Sequence, residues 1–119
     1  MEQQPIILII IFKDTKLRKY CTSKKNAVKK WGQRRGTLVL KRLDEIHDSD
    51  NMMDLTKIPQ ARCHKLTGNL QGKWSVDLEH PYRLIFEPLG EPIPKLSDGG
   101  IDLKKVTAVK ILGVFDTHG

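Results

Sequence analysis

The sequence predicts an α+β fold in which N-terminal helices pack on one face of a small, largely antiparallel sheet with a mixed edge. Three observations predict it. A β-branched apolar run, Ile6 to Phe12, comes first. Apolar residues at helical spacing then fill residues 14–47, and beyond residue 60 the spacing changes to simple alternation. At 119 residues, 39% apolar and 29% charged, the chain has the make-up of one domain, taken as 1–119, and not of a multidomain machine.

The run Ile6 to Phe12 reads as a strand covered on both faces, ending at the charged pair Lys13-Asp14. Asp14 is placed to cap a helix whose apolar positions are Leu17, Tyr20, Cys21, Ala27, Val28 and Trp31. Thr22-Ser23 can divide that stretch into two short helices, and Gly32 stops it. Val39, Leu40, Leu43, Ile46 and His47 form the stripe of the next helix, and Asp50 is expected to cap a short turn carrying Met52, Met53 and Leu55 before Pro59.

Arg62 to Leu66 is expected to pair as a hairpin with Lys73 to Glu79, where polar and apolar residues alternate without a miss. The loop between them contains Gly68, Asn69 and Gly72. Tyr82, Leu84 and Phe86 share one face of the following strand, and Val106 to Phe115 make the last. Residues 88–105, with three prolines and three glycines, read as a long, loosely structured excursion. Trp31 and Trp74 read as core residues.

Lys and Arg number 21 against 14 Asp and Glu, a net charge of +7. The excess is local: residues 13–42 carry Lys13, Lys16, Arg18, Lys19, Lys24, Lys25, Lys29, Lys30, Arg34, Arg35, Lys41 and Arg42 against Asp14 alone. Such a surface attracts polyanions, nucleic acid first among them, although a solvated basic helix face has the same composition. In the helix after Gly32 the basic half comes first and the acidic half (Asp44, Glu45, Asp48) last, opposite to the macrodipole preference, so these charges are expected to serve a partner.

The apolar run is too short to cross a bilayer and lacks signal-peptide framing, so the expectation is a cytoplasmic protein without a membrane partner. Cys21 and Cys63 cannot form a zinc set by themselves and are expected as reduced thiols. Arg83 is a charged group in a central-looking strand, on the face opposite Tyr82, Leu84 and Phe86. A guanidinium there needs an anion, either a ligand or a structural partner such as Asp77 or Glu79.

The segment Pro59 to Pro88 resembles the plasmid-maintenance killer proteins, the HigB-like toxins of the RelE/ParE superfamily. Cys63-His64-Lys65-Leu66-Thr67-Gly68 is similar to their hairpin signature, Gly72-Lys73-Trp74-Ser75-Val76 to their next strand, and Tyr82-Arg83-Leu84-Ile85-Phe86 to their arginine strand. Val114-Phe115-Asp116-Thr117-His118 is similar to their terminal Asp-Tyr-His.

The resemblance implies a RelE-like fold and a ribosome-dependent messenger RNA endonuclease that inhibits translation, controlled by a helix-turn-helix antitoxin of the HigA kind. The chemistry it implies uses no metal or other cofactor: the 2'-hydroxyl attacks the adjacent phosphate, which requires a base, positive charge on the non-bridging oxygens and an acid for the departing 5'-oxygen. By the resemblance, His64 and His118 are the proton shuttles, with base and acid unassigned between them, Arg83 is the phosphate clamp, and Asp116 orients a histidine or a base. Lys65, Lys73, Thr67 and Thr117 would contact RNA, and Lys29, Lys30, Arg34 and Arg35 on the basic helices would grip ribosomal RNA.

Two positions depart from the family pattern. Thr67 stands where many relatives have a lysine, and Thr117 replaces the tyrosine ring available for stacking on a base. The alternative is a toxin-like binding module without catalysis, either a ParE-like gyrase poison or an RNA- or antitoxin-binding domain. In that case His64 is an ordinary strand histidine bonded to a backbone carbonyl.

Overall fold

The computed structural model describes residues 7–117. β1 (Ile9–Phe12) leads into three helices, α1 (Thr15–Cys21), α2 (Lys24–Trp31) and α3 (Gln33–Asp48), followed by a short α4 (Met52–Thr56). Capping explains the starts of α1 and α2 and the end of α2. Asp14 accepts the Leu17 amide at 2.8 Å, Ser23 accepts that of Asn26 at 3.2 Å, and the Gly32 amide at φ 88° closes α2 onto the Val28 carbonyl. Thr22-Ser23 thus divides the first helical stretch, as the sequence suggests. The cap of α4 is Asn51, whose side chain accepts the Asp54 amide, and not Asp50.

β2 (His64–Lys65), β3 (Trp74–Asp77), β4 (Tyr82–Pro88) and β5 (Ala108–Asp116) complete a five-stranded sheet of order β1-β5-β4-β3-β2, with β1 parallel to β5 and every other pair antiparallel. The first strand is therefore an edge, and Ile9 and Ile11 are exposed. It is not covered on both faces, because the helices that follow return over a single side of the sheet.

On that covered side Trp74, Val76, Leu84, Phe86, Val109 and Ile111 meet Leu17, Val39, Leu43 and Ile46 in one buried cluster. Burying a side chain such as Phe86 completely contributes roughly 1.5–3 kcal/mol. Close packing of α2 on α3 depends on Gly36, where a Cβ would lie 2.7 Å from the Ala27 carbonyl oxygen. His47, expected on the buried stripe, is exposed: the buried stripe runs Gly36, Val39, Leu43, Ile46 to the end of the helix, and His47, one residue past Ile46, is turned off its flank.

Two basic residues of α3, Arg35 and Arg42, turn to the protein itself, while Arg34 and Lys41 are exposed. Buried Arg42 donates to the Asp77 carbonyl at 2.6 Å and the Gln60 carbonyl at 2.9 Å, and pairs with Glu45 at 3.0 Å. Arg35 pairs with Glu79 at 2.7 Å and stacks on the Tyr82 ring, 3.4 Å from its centroid. The reversed polarity of the helix is thus explained in part by docking onto β3 and β4, not by a partner molecule.

β3 is buried on both faces, since Ser75 is as inaccessible as Val76; alternation alone suggested one buried face. The excursion between β4 and β5 is more structured than its composition suggests. Lys95 bridges Ile101, the Leu96 amide donates to Gly100, Asp98 accepts the Gly100 amide, and a 3-10 turn spans Leu103–Lys105.

Candidate functional site

Pairing register assigns the uncovered face. Residues opposite one another in an antiparallel pair point the same way. With Trp74, Phe86, Val76 and Leu84 directed at the helices, the other side carries His64 beside Ser75, Ser75 beside Ile85, and Ile85 beside Gly113. One row further along lie Asp77, Arg83 and Phe115. Three adjacent strands, β2, β3 and β4, thus bring His64 and Arg83, 19 positions apart in sequence, onto one side of the sheet.

Asp77 sits between two guanidiniums. Arg62 Nε lies 3.2 Å from its Oδ2 and Arg83 Nε 3.5 Å from its Oδ1. The second contact is an ion pair without hydrogen-bond alignment, for Oδ1 is buried and accepts no hydrogen bond among the described residues. Arg83 therefore has the structural partner that its position demanded. It remains about one-third exposed, and among the described residues no hydrogen bond occupies its Nη groups.

His64 Nδ1 lies 2.7 Å from the Arg62 carbonyl oxygen. A carbonyl only accepts, so Nδ1 carries the hydrogen, and in the neutral ring Nε2 keeps its lone pair. That carbonyl is aimed by an unusual backbone: Arg62 adopts φ 47°, ψ 50°, the left-handed region that side chains with a Cβ rarely occupy. Arg62 thus orients one candidate site residue and shares the counter-ion of another. Sequence reasoning did not single it out as a site residue, because its left-handed backbone lies outside the strand and strand parity does not reach it.

A register shift in the β4–β5 pair follows Ile85, where Leu112 is the extra residue. Beside this bulge a cavity of about 240 Å³ is lined by Leu70, Lys73, Ile85, Leu112, Phe115, Asp116 and Thr117. Ser75, next to it, has a fully buried hydroxyl with no hydrogen-bond partner among the described residues. Phe115 is exposed although strongly apolar.

The remaining expected residues are dispersed. Lys65 registers with Trp74 and so belongs to the opposite parity from His64. Even so, it shares with His64, Thr67, Gly68, Gly99 and Ile101 a larger cleft of about 850 Å³ between the hairpin loop and the excursion. Lys29 and Arg34 are exposed on the helices, Lys30 lies over the Tyr20 ring at 5.2 Å, and Arg35 is committed to Glu79 and Tyr82. His118 lies outside the described residues. Both cysteines are free thiols pushed up to about 12 by burial. Among the described residues no three His, Cys, Asp or Glu side chains gather as a metal-ligand set, and no helix is long and apolar enough to cross a membrane.

The family model of RelE-like toxins of type II toxin–antitoxin systems, HigB, matches residues 10–93, from β1 through β4 into the excursion. No match is found among curated proteins or solved structures. The model spans more than half of the chain, and the helices over a mixed five-stranded sheet agree with it. The chain therefore belongs to the HigB-like family of RelE-like toxins, the toxin half of a type II toxin–antitoxin pair.

Proposed function

We propose that this toxin is a cytoplasmic, ribosome-dependent messenger RNA endonuclease, inhibited by a HigA-like helix-turn-helix antitoxin. The observation that carries the reading is the placement of His64, in a defined tautomer, and Arg83 on the one sheet face that the helices leave uncovered. His64 Nε2 takes the proton of the 2'-hydroxyl as that oxygen bonds to phosphorus. The bond from phosphorus to the 5'-oxygen breaks, leaving a 2',3'-cyclic phosphate, and His118 protonates the departing oxygen. Arg83 bridges the non-bridging oxygens through its Nη groups, and Lys73 adds a second positive charge. While Arg83 turns to the phosphate, Arg62 keeps Asp77 neutralised.

Lys29, Lys30 and Arg34 form the outward basic surface for ribosomal RNA. Arg35 leaves that set because its charge is spent on Glu79.

The test is reconstitution with ribosomes programmed with a defined messenger RNA, followed by mapping of the cut ends. Wild-type protein yields ends carrying a 2',3'-cyclic phosphate. Arg83→Ala and His64→Ala each reduce the cutting rate by about 10²–10³ and relieve growth arrest. Equal cutting by both variants would refute the assignment.

A further inference from the structure

We propose that Phe115 is a stacking platform for one unpaired base of the RNA, held against the cavity between Leu70 and the β5 bulge. The inference rests on the nuclease reading and names what part of the substrate this side of the site takes. Phe115 is the register partner of Arg83, so a base on its ring lies next to the phosphate clamp. At 44% it is among the most exposed large apolar residues, and it adjoins a cavity walled by Leu70, Ile85 and Leu112 with Lys73 at its rim.

The ring is also held in place. A Cβ at Gly113 would fall 3.1 and 3.2 Å from Phe115 Cε2 and Cζ, so the ring lies over the backbone that this glycine leaves bare. One side of the ring is thereby supported by the sheet.

An aromatic plane fixed on an uncovered sheet, flanked by cations on a chain of net charge +7, suits an unpaired nucleic-acid base better than an apolar peptide. Every base offers a π-face, and its phosphate meets Arg83 and Lys73. Phe115 thus supplies, two residues earlier, a ring where Thr117 supplies none.

The experiment uses the whole chain and short single-stranded RNA carrying 2-aminopurine at successive positions, at low salt without ribosomes, so that binding is read apart from cutting. Wild-type protein quenches the probe at one position. Phe115→Leu and Phe115→Met, each checked for an unchanged melting transition, lose the quenching and weaken binding about tenfold, within the roughly 5- to 150-fold range of one base–aromatic stack. Phe115→Trp restores both.

Unchanged quenching and affinity in the Leu and Met variants overturn the platform, as does a wild-type protein that binds no RNA. If binding depends on Phe115 but programmed ribosomes are never cut, the platform stands and the nuclease reading falls. If Arg83→Ala abolishes cutting while Phe115→Leu binds like wild type, the reverse holds.

Discussion

Ile85 and Phe86 are neighbours in one strand, both buried, and they face opposite worlds. Phe86 joins a continuous apolar cluster under the helices, in which the charged groups that intrude, Arg35 and Arg42, are each bonded to specific acceptors. Ile85 belongs to the other side, where a serine hydroxyl and a carboxylate oxygen lie buried without hydrogen bonds among the described residues, an arginine strains its backbone, and an aromatic ring stands exposed. One face satisfies its polar groups and the other does not. Such a concentration of unmet local requirements on one face supports the proposal that this surface is the one kept for RNA.

The comparison is broken most severely on the covered side. Phe86→Ala is expected to cost about 3–5 kcal/mol, because the cavity it leaves cannot collapse against a sheet. Arg42→Ala is expected to cost about as much, since it leaves the Asp77 and Gln60 carbonyls without this donor and Glu45 without its cation, held by Gln60 alone. Urea denaturation measures both, and each should abolish toxicity only by unfolding the protein.

Arg83→Ala carries the same loss of charge to the uncovered side and should behave differently. Its partly exposed contact with Asp77 is worth at most about 1 kcal/mol, and Arg62 remains as counter-ion. The urea midpoint should therefore barely move while cutting falls by about 10²–10³. If Arg83→Ala unfolds as readily as Arg42→Ala, both arginines are structural and the contrast disappears.

Much of this division was legible in the sequence, and what escaped has physical reasons. Alternation in Tyr82-Arg83-Leu84-Ile85-Phe86 separated the two faces of β4 correctly, because period-two patterning follows directly from strand geometry. The cap at Asp14, the break at Thr22-Ser23 and the stop at Gly32 are local events and were readable as such.

The exposure of β1 was not, since a β-branched run is the same whether a neighbour covers one side or two; only the sheet order decides. The docking roles of Arg35 and Arg42 depend on partners 44 and 35 positions away, which local spacing cannot supply. In the site, the shared face of His64 and Arg83 follows from strand parity once the hairpin is recognised. The Arg62 carbonyl on His64 and the Phe115 ring over Gly113 arise from a backbone twist and a bulge that leave little trace in residue type.

Gly113→Ala sharpens the contrast within the uncovered face. The new Cβ meets the Phe115 ring at 3.1–3.2 Å, and the backbone at φ 146° suits glycine. A cost of about 1–3 kcal/mol is expected, smaller than on the covered side. The informative readout is displacement of the ring: the variant should lose base stacking in the RNA-binding assay while Arg83-dependent cutting persists at a reduced rate.

The smallest effect concerns the two thiols, both of which pack against the core on the covered side. Cys21 is in the core and Cys63 lines the large cleft next to His64, yet burial pushes both up to about 12 from an ordinary 9.0. Both stay protonated in the folded state at neutral pH, so alkylating reagents should react slowly and leave cutting intact until the protein unfolds.

The linkage has a definite sign. Below pH 9 the folded and unfolded states bind these protons equally. Between 9 and 12 the unfolded thiols ionise and the folded ones do not, so stability falls as pH rises through that window. Cys21→Ala removes one of the two groups and should flatten the alkaline limb of a pH series of urea midpoints. A limb of unchanged slope would mean that burial does not hold Cys21 protonated, and that the covered side is less dry than its packing implies.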